Sequence, residues 1–497
     1  MTSQLFARKP LKLLLEEVHG ENRLRRVLGP VQLTALGVGA VIGAGIFVAT
    51  GEAAHNTAGP ALMLSYVVAG ITCIFAALCY AEFASMVPVA GSAYTYAYAT
   101  IGELFAWIIG WDLVLEYAVG AATVANGWSS YFQSVIAKFG IVLPKSLAGP
   151  PIIYDKALGE FVGTNGIINL PAVVIVTIVT WVLVRGIRES AGFNATMVAI
   201  KVAAVLFVIL VGAFYIDPAN WQPFAPYGMT GVSFFGHPLF GQSVEGQPVG
   251  MLAGAAIIFF AYIGFDSVST HAEEAIKPQR DVPIGIVVSL VICTVLYIAV
   301  VAVLTGMVKY DRIDVNAGVS DAFKQAGLPW AEFIIAAAGV AGITSVLLVM
   351  MLSAPRVFLA MARDGMVPFS FFGAVHPEYK TPWKSTILIG VGVATLAGLM
   401  PIDALLHLTN IGTLLAFAIV CTAVLIMRKK HPEAERPFRC PMVPLVPILG
   451  IGCCLMLMFS LPAANWWRLG LWLLIGFVIY FGYSRKHSVM SRLNTGA

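Results

Sequence analysis

Long apolar segments alternate with short polar segments along almost the whole chain. Each apolar segment runs for about 20 residues, which is the length that a helix needs to cross a bilayer. About twelve such segments occur, with approximate bounds 31–57, 61–86, 103–135, 167–185, 191–215, 251–275, 283–307, 332–361, 384–400, 403–427, 441–462 and 467–483. The pattern predicts an all-α integral membrane protein with about twelve transmembrane helices.

Glycine interrupts two of these segments in the middle. The first contains Gly43-Ala44-Gly45, and the sixth contains Gly264 followed by Asp266. Because glycine favours a helix least among the ordinary residues, we expect both helices to open there. Open backbone at membrane depth is tolerated where it lines a cavity or holds a ligand. Close helix packing through small residues is the alternative explanation for the first segment.

Corresponding breaks in the first and sixth spans predict two five-span halves. An odd number of spans in each half forces opposite orientations in the membrane, as in inverted-repeat transporters with a central site. The predicted segments are a cytoplasmic start, a first repeat, an extracellular loop, a second and inverted repeat, two peripheral helices and a cytoplasmic tail. Their bounds are 1–30, 31–215, 216–250, 251–427, 428–483 and 484–497.

Composition and charge agree with a membrane protein. Of the 497 residues, 59% are hydrophobic and 11% are charged, which excludes an ordinary soluble protein. Lysine and arginine are about three times as frequent in the loops on one side as on the other, so we expect both termini to be cytoplasmic. We also expect the plasma membrane to be the location. The net charge of +4 gives no indication of nucleic-acid binding.

Two ionisable side chains lie deep inside predicted spans. Glu116 shares a helix face with small and polar residues, and Lys201 lies roughly 15 Å inside the fifth span at 1.5 Å per residue. Ionisable residues inside a membrane are costly and are functional by default. A buried acid that supports helix packing and a lysine that only structures the fold are the alternatives.

Few other groups suggest chemistry. Thr344 and Ser345 in the eighth span could support a central site, or their hydroxyls could bind the backbone of their own helix. The seven cysteines show no metal-ligand spacing. We see no nucleophile–base pair, metal cluster or nucleotide loop, so the sequence predicts neither an enzyme nor a cofactor.

Motifs along most of the chain resemble the amino acid–polyamine–organocation transporter superfamily, and within it the bacterial cationic amino acid transporter branch. The matching stretches are Gly43–Phe47, Leu78–Phe83 with Pro88, Gly91–Tyr94, Gly102-Glu103, Gly110–Leu113, Phe260–Ser267, Ala272–Glu274 with Pro278, Arg280–Pro283, Pro355-Arg356, Met361–Gly365 and Ile411–Leu415. The resemblance implies the leucine-transporter type of five-plus-five inverted repeat and secondary active transport of an amino acid.

The resemblance also implies a substrate site at the two breaks. The substrate carboxylate would meet N–H groups of the first break, the amino group would meet carbonyls of the sixth, and Phe260 would act as an aromatic gate. Lys201 would occupy the place of a sodium ion and bridge the first span to the Thr344-Ser345 region. The predicted substrate-binding residues are Ile42, Gly43, Ala44, Gly45, Ile46, Phe260, Ala261, Tyr262 and Ile263.

We therefore expect proton-coupled import of an L-amino acid, either small and neutral such as alanine or cationic such as arginine. Glu116, Lys201 and Asp266 are the candidates for proton coupling. A sodium-independent exchanger without proton movement and a non-transporting sensor are the alternatives. The expected partners are the substrate, protons and the lipid bilayer, and the sequence leaves open an accessory membrane subunit.

Overall fold

The computed structural model is mostly helical, with 75% of the chain in helices. It describes residues 2–10, 28–86, 92–155, 160–186, 191–234, 237–244, 247–270, 272, 275–315, 317–379 and 381–495. Most of the predicted segment 1–30 therefore lies outside the described residues.

Within the described ranges, a helix coincides with each of the predicted spans. We number these helices α1 to α12. Their bounds are α1 Pro30–Val41, α2 Leu62–Met86, α3 Glu103–Ala137, α4 Leu170–Arg185, α5 Ala191–Gly212, α6 Met251–Ile258, α7 Pro278–Met307, α8 Pro329–Arg363, α9 Trp383–Leu399, α10 Ile402–Lys430, α11 Leu445–Phe459 and α12 Ala463–Ile479.

Eight helical stretches in the described part are long and apolar enough to cross a membrane. One of them, the 57-residue stretch Pro30–Met86, covers the first two predicted spans. The helices α4, α9 and α11 are apolar but shorter. A multi-pass membrane protein follows from these lengths, whereas the count of twelve crossings stays a prediction.

Local sequence explains several helix ends. Asn169 precedes α4 and its side chain accepts a hydrogen bond from the N–H of Ala172, while Pro171 occupies the first turn, where its missing N–H costs nothing. Gly186 follows α4 with φ 84°, and Gly365 follows α8 with φ 73°. Both are left-handed conformations that glycine adopts without strain, so they stop the helices at these points.

Short elements connect the main helices. The short α-helices are Thr2–Leu5, Thr50–Ala53, Ser92–Thr100, Lys145–Ala148, Ser267–Thr270, Gly318–Gln325, Phe369–Phe372, Arg485–His487 and Val489–Thr495; the π-helices are Gly45–Ala49, Ala54–Ala58 and Tyr480–Ser484; the 3-10 helices are Gly59–Ala61, Ala213–Tyr215, Pro218–Trp221, Phe259–Tyr262 and Tyr310–Arg312. The strands form three antiparallel hairpins, which pair β1 Ile152–Asp155 with β2 Glu160–Gly163, β3 Val232–Phe234 with β4 His237–Phe240, and β5 Gln242–Val244 with β6 Gln247–Val249.

The hairpins were not predicted. Two of them, β3–β4 and β5–β6, lie in the segment 216–250, which the sequence indicated only as a long loop. Their strands have three or four residues, so the all-α prediction holds for the helical bundle and fails locally in the loops.

The bundle is built from helix pairs. Within the described part, α3 packs along α8, α2 along α7 and α4 along α9, while α10 packs against α3 and α11. The helices α3 and α8 have 35 residues each and are the longest. α1 and α6 pack in the middle of this arrangement and contribute fully buried residues to the core.

Both ends of the chain meet at one end of the bundle. The side-chain amide of Gln4 donates to the carbonyl of Arg485, and the N–H of Val489 donates to the carbonyl of Asp364 at the end of α8. Lys9 forms a buried ion pair with Asp364, at 2.8 Å. The two termini therefore lie on the same side, as an even number of crossings requires.

Candidate functional site

The first helix is interrupted at the position that its glycines predict. α1 ends at Val41, and Ile42 leaves the helical conformation with φ −70° and ψ 107°. The chain re-enters a helix in the wide π turns of Gly45–Ala49 and continues as Thr50–Ala53. Since the first N–H groups of a helix have no partner within it, this restart leaves N–H groups available at a buried position.

The sixth helix is interrupted as well. α6 ends at Ile258 and tightens into the 3-10 turn Phe259–Tyr262, after which Ile263 is extended, with φ −57° and ψ 132°. Gly264 has φ 117°, a conformation that side-chain-bearing residues rarely adopt. A short helix then resumes at Ser267–Thr270. The break leaves carbonyl groups of this segment outside regular helix geometry.

The two breaks lie against each other. A methyl group added to Gly45 would lie 2.2 Å from the Cα of Ala261, so the backbones are in direct contact here. A methyl group added to Gly264 would lie 2.9 Å from the carbonyl oxygen of Ala40. Glycine is required at both positions because a larger residue would push the broken helices apart.

Polar side chains from neighbouring helices bind the carbonyls at the breaks. The hydroxyl of Tyr297 on α7 lies 2.8 Å from the carbonyl oxygen of Val41 and 3.2 Å from that of Ala261, so it can donate to either break. The amide of Asn410 on α10 donates to the carbonyls of Ala256 and Ile257, both at 2.8 Å. These side chains satisfy carbonyls near the ends of the half-helices, which hydrogen bonds within a helix leave free.

All nine predicted substrate-binding residues lie buried at this junction. They are Ile42, Gly43, Ala44, Gly45, Ile46, Phe260, Ala261, Tyr262 and Ile263. The facing side chain on α8 is apolar, since a methyl group added to Gly43 would lie 2.4 Å from the Cγ2 of Val346. The structure thus brings together residues that are more than 200 positions apart in sequence, and it closes them off from solvent.

Two of the predicted proton-coupling residues meet beside the junction. Asp266 accepts a hydrogen bond from Tyr117 of α3 at 2.9 Å, and Glu116, the preceding residue on α3, lies within electrostatic reach of Asp266. The hydroxyl of Thr413 on α10 is next to the Glu116 carboxyl group. In the described part of the chain, one oxygen of each carboxyl group, Glu116 Oε1 and Asp266 Oδ1, is buried without a hydrogen-bond partner.

A third buried carboxyl group belongs to this cluster, and the sequence analysis missed it. Asp112 lies one helical turn before Glu116 on α3 and is close enough to interact with it electrostatically. Its Oδ1 has no partner among the described residues, and a methyl group added to Gly412 of α10 would lie 2.6 Å from it. The spacing of four residues between Asp112 and Glu116 places them on one face, and this signal could have found Asp112.

Lys201, the third predicted coupling residue, contacts α1. Its ammonium group donates to the carbonyl of Gly39 at 2.5 Å, and the side chain is only 1% exposed. Its aliphatic stem packs on α8, where a methyl group added to Gly342 would lie 3.3 Å from the Lys201 Cγ. The lysine therefore connects α5 to α1 and α8, and its contact with α1 lies in the last turn of that helix.

The hydroxyls of Thr344 and Ser345 are directed to their own helix. Thr344 donates to the carbonyl of Val340 at 2.7 Å and accepts from the indole N–H of Trp128 at 2.9 Å. Ser345 donates to the carbonyl of Gly342 at 3.1 Å. The geometry therefore favours the alternative in which both hydroxyls bind carbonyls of their own helix. The contact between Lys201 and α8 is made at Gly342 instead.

Among the described residues no group of three or more histidine, cysteine or acidic side chains could hold a metal ion. The arrangement is therefore one of two broken helices in contact, with three buried carboxyl groups and a buried lysine beside them. Such a site can bind a small zwitterion through backbone groups, because a helix N-terminus attracts a carboxylate and freed carbonyls attract an ammonium group. The class of protein that these features define is a multi-pass membrane transporter.

Comparison with known proteins identifies the family. The model of the amino acid permease family matches residues 28–491. The chain therefore belongs to the amino acid permeases of the amino acid–polyamine–organocation superfamily, as its motifs predicted.

Several relatives are similar over most of their length. The methylthioribose transporter of Bacillus subtilis is 45% identical over 490 residues, which cover 99% of this chain and 100% of the relative. The branched-chain amino acid permease BcaP of the same organism is 46% identical over 493 residues, again 99% and 100%. The human cationic amino acid transporter 4 is 37% identical over 427 residues, which are 85% of this chain and 63% of the relative. These relatives are transporters, so the prediction that the chain is not an enzyme is confirmed.

Proposed function

We propose that the protein is a secondary active transporter that imports an L-amino acid by alternating access around the junction of α1 and α6. The contact between the two broken helices carries this proposal. Membrane helices keep irregular backbone only where it is covered by protein or lines a cavity, and here both breaks occur at the same buried point. A substrate can therefore interact with both helices at once, and its binding energy can act on their relative position.

We propose the leucine-transporter arrangement of two inverted five-helix repeats, 31–215 and 251–427, with twelve crossings in total. Helices five positions apart pack on each other in three cases, α2 with α7, α3 with α8 and α4 with α9. The broken segments that follow α1 and α6 also contact each other. A pseudo-two-fold axis in the membrane plane would produce this pairing. The segment 216–250 would then be the extracellular loop, α11 and α12 would be peripheral, and both termini would be cytoplasmic at the plasma membrane.

In this proposal the substrate is held mainly by backbone. Its carboxylate accepts from N–H groups of Gly43, Ala44 and Gly45, where the positive end of a helix dipole stabilises negative charge. Its ammonium group donates to carbonyls of the Phe260–Ile263 segment. The ring of Phe260 covers the substrate as a gate. Every L-amino acid presents the same carboxylate and ammonium groups to these backbone atoms. The side chains that line the site therefore determine which amino acid is bound.

The walls favour a neutral amino acid. Val346 faces Gly43, and Met350 lies against Gly120 of α3, so the α8 side of the site is apolar. A branched or small aliphatic side chain gains free energy there, at about 25 cal/mol per Å² of apolar surface removed from water. One relative is a branched-chain amino acid permease, which agrees with this choice.

A cationic amino acid is the second candidate. Glu116 has an oxygen without a partner in the described part of the chain, and such an oxygen could bind a guanidinium or ammonium group. The similarity to cationic amino acid transporters supports the same alternative.

We further propose that uptake is coupled to protons through the carboxyl groups of Glu116 and Asp266, with Lys201 holding α1 in one of the two states. A proton can add to an oxygen that has no donor, and both residues have such an oxygen. An exchanger that moves no protons is the alternative within the same fold.

The test is uptake of labelled leucine, alanine and arginine into proteoliposomes without sodium, with and without an inward proton gradient. We expect leucine or alanine to accumulate only with the gradient. Arginine uptake that follows the membrane potential would establish the cationic candidate. Exchange without net uptake would remove proton coupling, and absence of any flux by a protein that binds these amino acids would replace transport with sensing.

Glu116→Gln tests the coupling residue directly, because it keeps the shape of the side chain and removes its proton exchange. We expect accumulation under a proton gradient to be lost while exchange of internal for external substrate continues. Glu378→Gln, the same change at an exposed position, is the control and should leave both activities intact. Undiminished accumulation by the Glu116 variant would contradict its role.

A further inference from the structure

A cavity of about 480 Å³ opens on the outside of the bundle, between α2, α7 and the segment that follows α10. Its walls include Leu78 of α2, Ile284, Val287 and Val288 of α7, and Phe438. Arg280, in the first turn of α7, is the charged residue in the wall. The volume lies within the range of about 300–1,000 Å³ that is typical of small-molecule sites, although this site is open on the lipid-facing side.

The cavity continues as an apolar groove towards the middle of the membrane. Exposed residues on α7 at helical spacing, Val288, Val291, Ile292 and Val295, line one side. Leu64 and Ile71 of α2 are exposed on the other side and repeat at the seven-residue spacing of Leu78. A methyl group added to Gly70 would lie 2.7 Å from the Cγ2 of Thr294, so the two helices form a closed floor at this level.

The dimensions of the groove fit an acyl chain. From Leu78 to Leu64, α2 rises by about 21 Å at 1.5 Å per residue. One leaflet of the hydrocarbon core is about 15 Å deep, half of the usual thickness of about 30 Å. An acyl chain that starts at the cavity therefore stays in contact with apolar side chains through the whole leaflet.

The polar end of the cavity is positively charged. Arg280 is exposed and has no ion pair or side-chain hydrogen bond within the described residues. Among the described residues, the acids near this end of the cavity are engaged elsewhere. Asp281 is buried and accepts from the backbone N–H of Lys277, and Glu82 is bound by Arg428 and Arg436. Arg280 lies at the level where α2 ends and α7 begins. Its guanidinium group can bind the phosphate of a lipid there through two parallel hydrogen bonds.

We infer that this cavity is a binding site for an anionic phospholipid, with the phosphate on Arg280 and one acyl chain in the groove between α2 and α7. Basic pockets between transmembrane helices are known to bind such head groups. The site lies away from the junction of α1 and α6. The inference requires only that the chain is embedded in a bilayer, so it does not depend on the substrate or on proton coupling.

Spin-labelled lipids provide the test. The purified protein is placed in phosphatidylcholine vesicles with a small amount of spin-labelled phosphatidylglycerol or, separately, spin-labelled phosphatidylcholine, and the motionally restricted fraction is measured. We expect phosphatidylglycerol to be retained in excess of phosphatidylcholine. Arg280→Ala should lower the relative affinity for phosphatidylglycerol about five-fold, the effect of removing one basic residue near a membrane surface.

Two further variants make the result decisive. Lys430→Ala removes an exposed positive charge from the end of α10, at the same end of the bundle, and should leave the excess unchanged. Val287→Trp fills the cavity without altering the charge, and it should remove the excess of phosphatidylglycerol over phosphatidylcholine. Equal retention of the two lipids by the unmodified protein, or an equal effect of Arg280→Ala and Lys430→Ala, would overturn the inference, as would unchanged retention by the Val287 variant.

Discussion

Replacing Gly45 with alanine is expected to stop transport, although the same change usually stabilises a helix. Glycine within a helix costs about 0.5–1 kcal/mol relative to alanine, so most such substitutions raise stability. At Gly45 the added methyl group would lie 2.2 Å from the Cα and 2.5 Å from the Cβ of Ala261. Contacts this short force the two broken helices apart, and overpacking of this kind costs about 1–3 kcal/mol.

The balance of these two effects is a net loss of up to about 2.5 kcal/mol in the free energy of unfolding. A shift of the α1 segment also moves the N–H groups that we assign to the substrate carboxylate. We therefore expect exchange of labelled substrate in proteoliposomes to fall at least ten-fold, which corresponds to about 1.4 kcal/mol of lost binding. Thermal unfolding of the purified protein measures the stability in parallel.

Gly392→Ala is the matched control. Gly392 lies in α9 and nothing would contact its added methyl group within 4 Å, so this variant should be slightly more stable and fully active. The double variant Gly45→Ala with Ala261→Gly sharpens the test, because it removes the Cβ of Ala261 and leaves the closer Cα in place. It should remain inactive. Recovery of transport in the double variant, or full activity of Gly45→Ala alone, would refute the direct contact between the two backbones.

Two further predictions concern buried polar groups, one at the junction and one at the end of α2. Tyr297→Phe removes the donor shared by the carbonyls of Val41 and Ala261, so we expect a loss of about 1–3 kcal/mol in stability and weaker substrate binding. Thermal unfolding with and without substrate measures both effects. An unchanged melting temperature in both conditions would show that this hydroxyl does not hold the breaks. Glu82→Gln weakens the buried contacts of Glu82 with Arg428 and Arg436, which should cost about 3 kcal/mol. A Glu82 variant as stable as the parent in a thermal melt would contradict the importance of this contact.

The breaks in α1 and α6 could be predicted from sequence because glycine acts locally. Gly43 and Gly45 weaken the helix wherever it packs, and Gly264 takes a conformation that only glycine adopts easily. Glu116 and Lys201 could be recognised for a similar reason, since charge inside an apolar segment is costly whatever its partners are.

Tertiary partners could not be predicted in this way. The pairing of Asp266 with Tyr117 and the binding of Asn410 to carbonyls of α6 join helices that are far apart in the chain. The residue types at these positions are equally compatible with packing. Asp112 was not predicted as a site residue because it was recognised only as part of the family motif Gly110–Leu113, although it lies one helical turn from Glu116. The loop hairpins were not predicted because strands of three or four residues are too short to show a clear alternation of apolar and polar positions.

A structure of the protein with leucine or alanine bound would test most directly whether a substrate binds between the two broken helices. We expect density between the broken segments of α1 and α6, with the carboxylate at the N–H groups of Gly43 to Gly45 and the ammonium group at the carbonyls of the Phe260–Ile263 segment. A transported amino acid bound elsewhere, with the junction closed and empty, would contradict it.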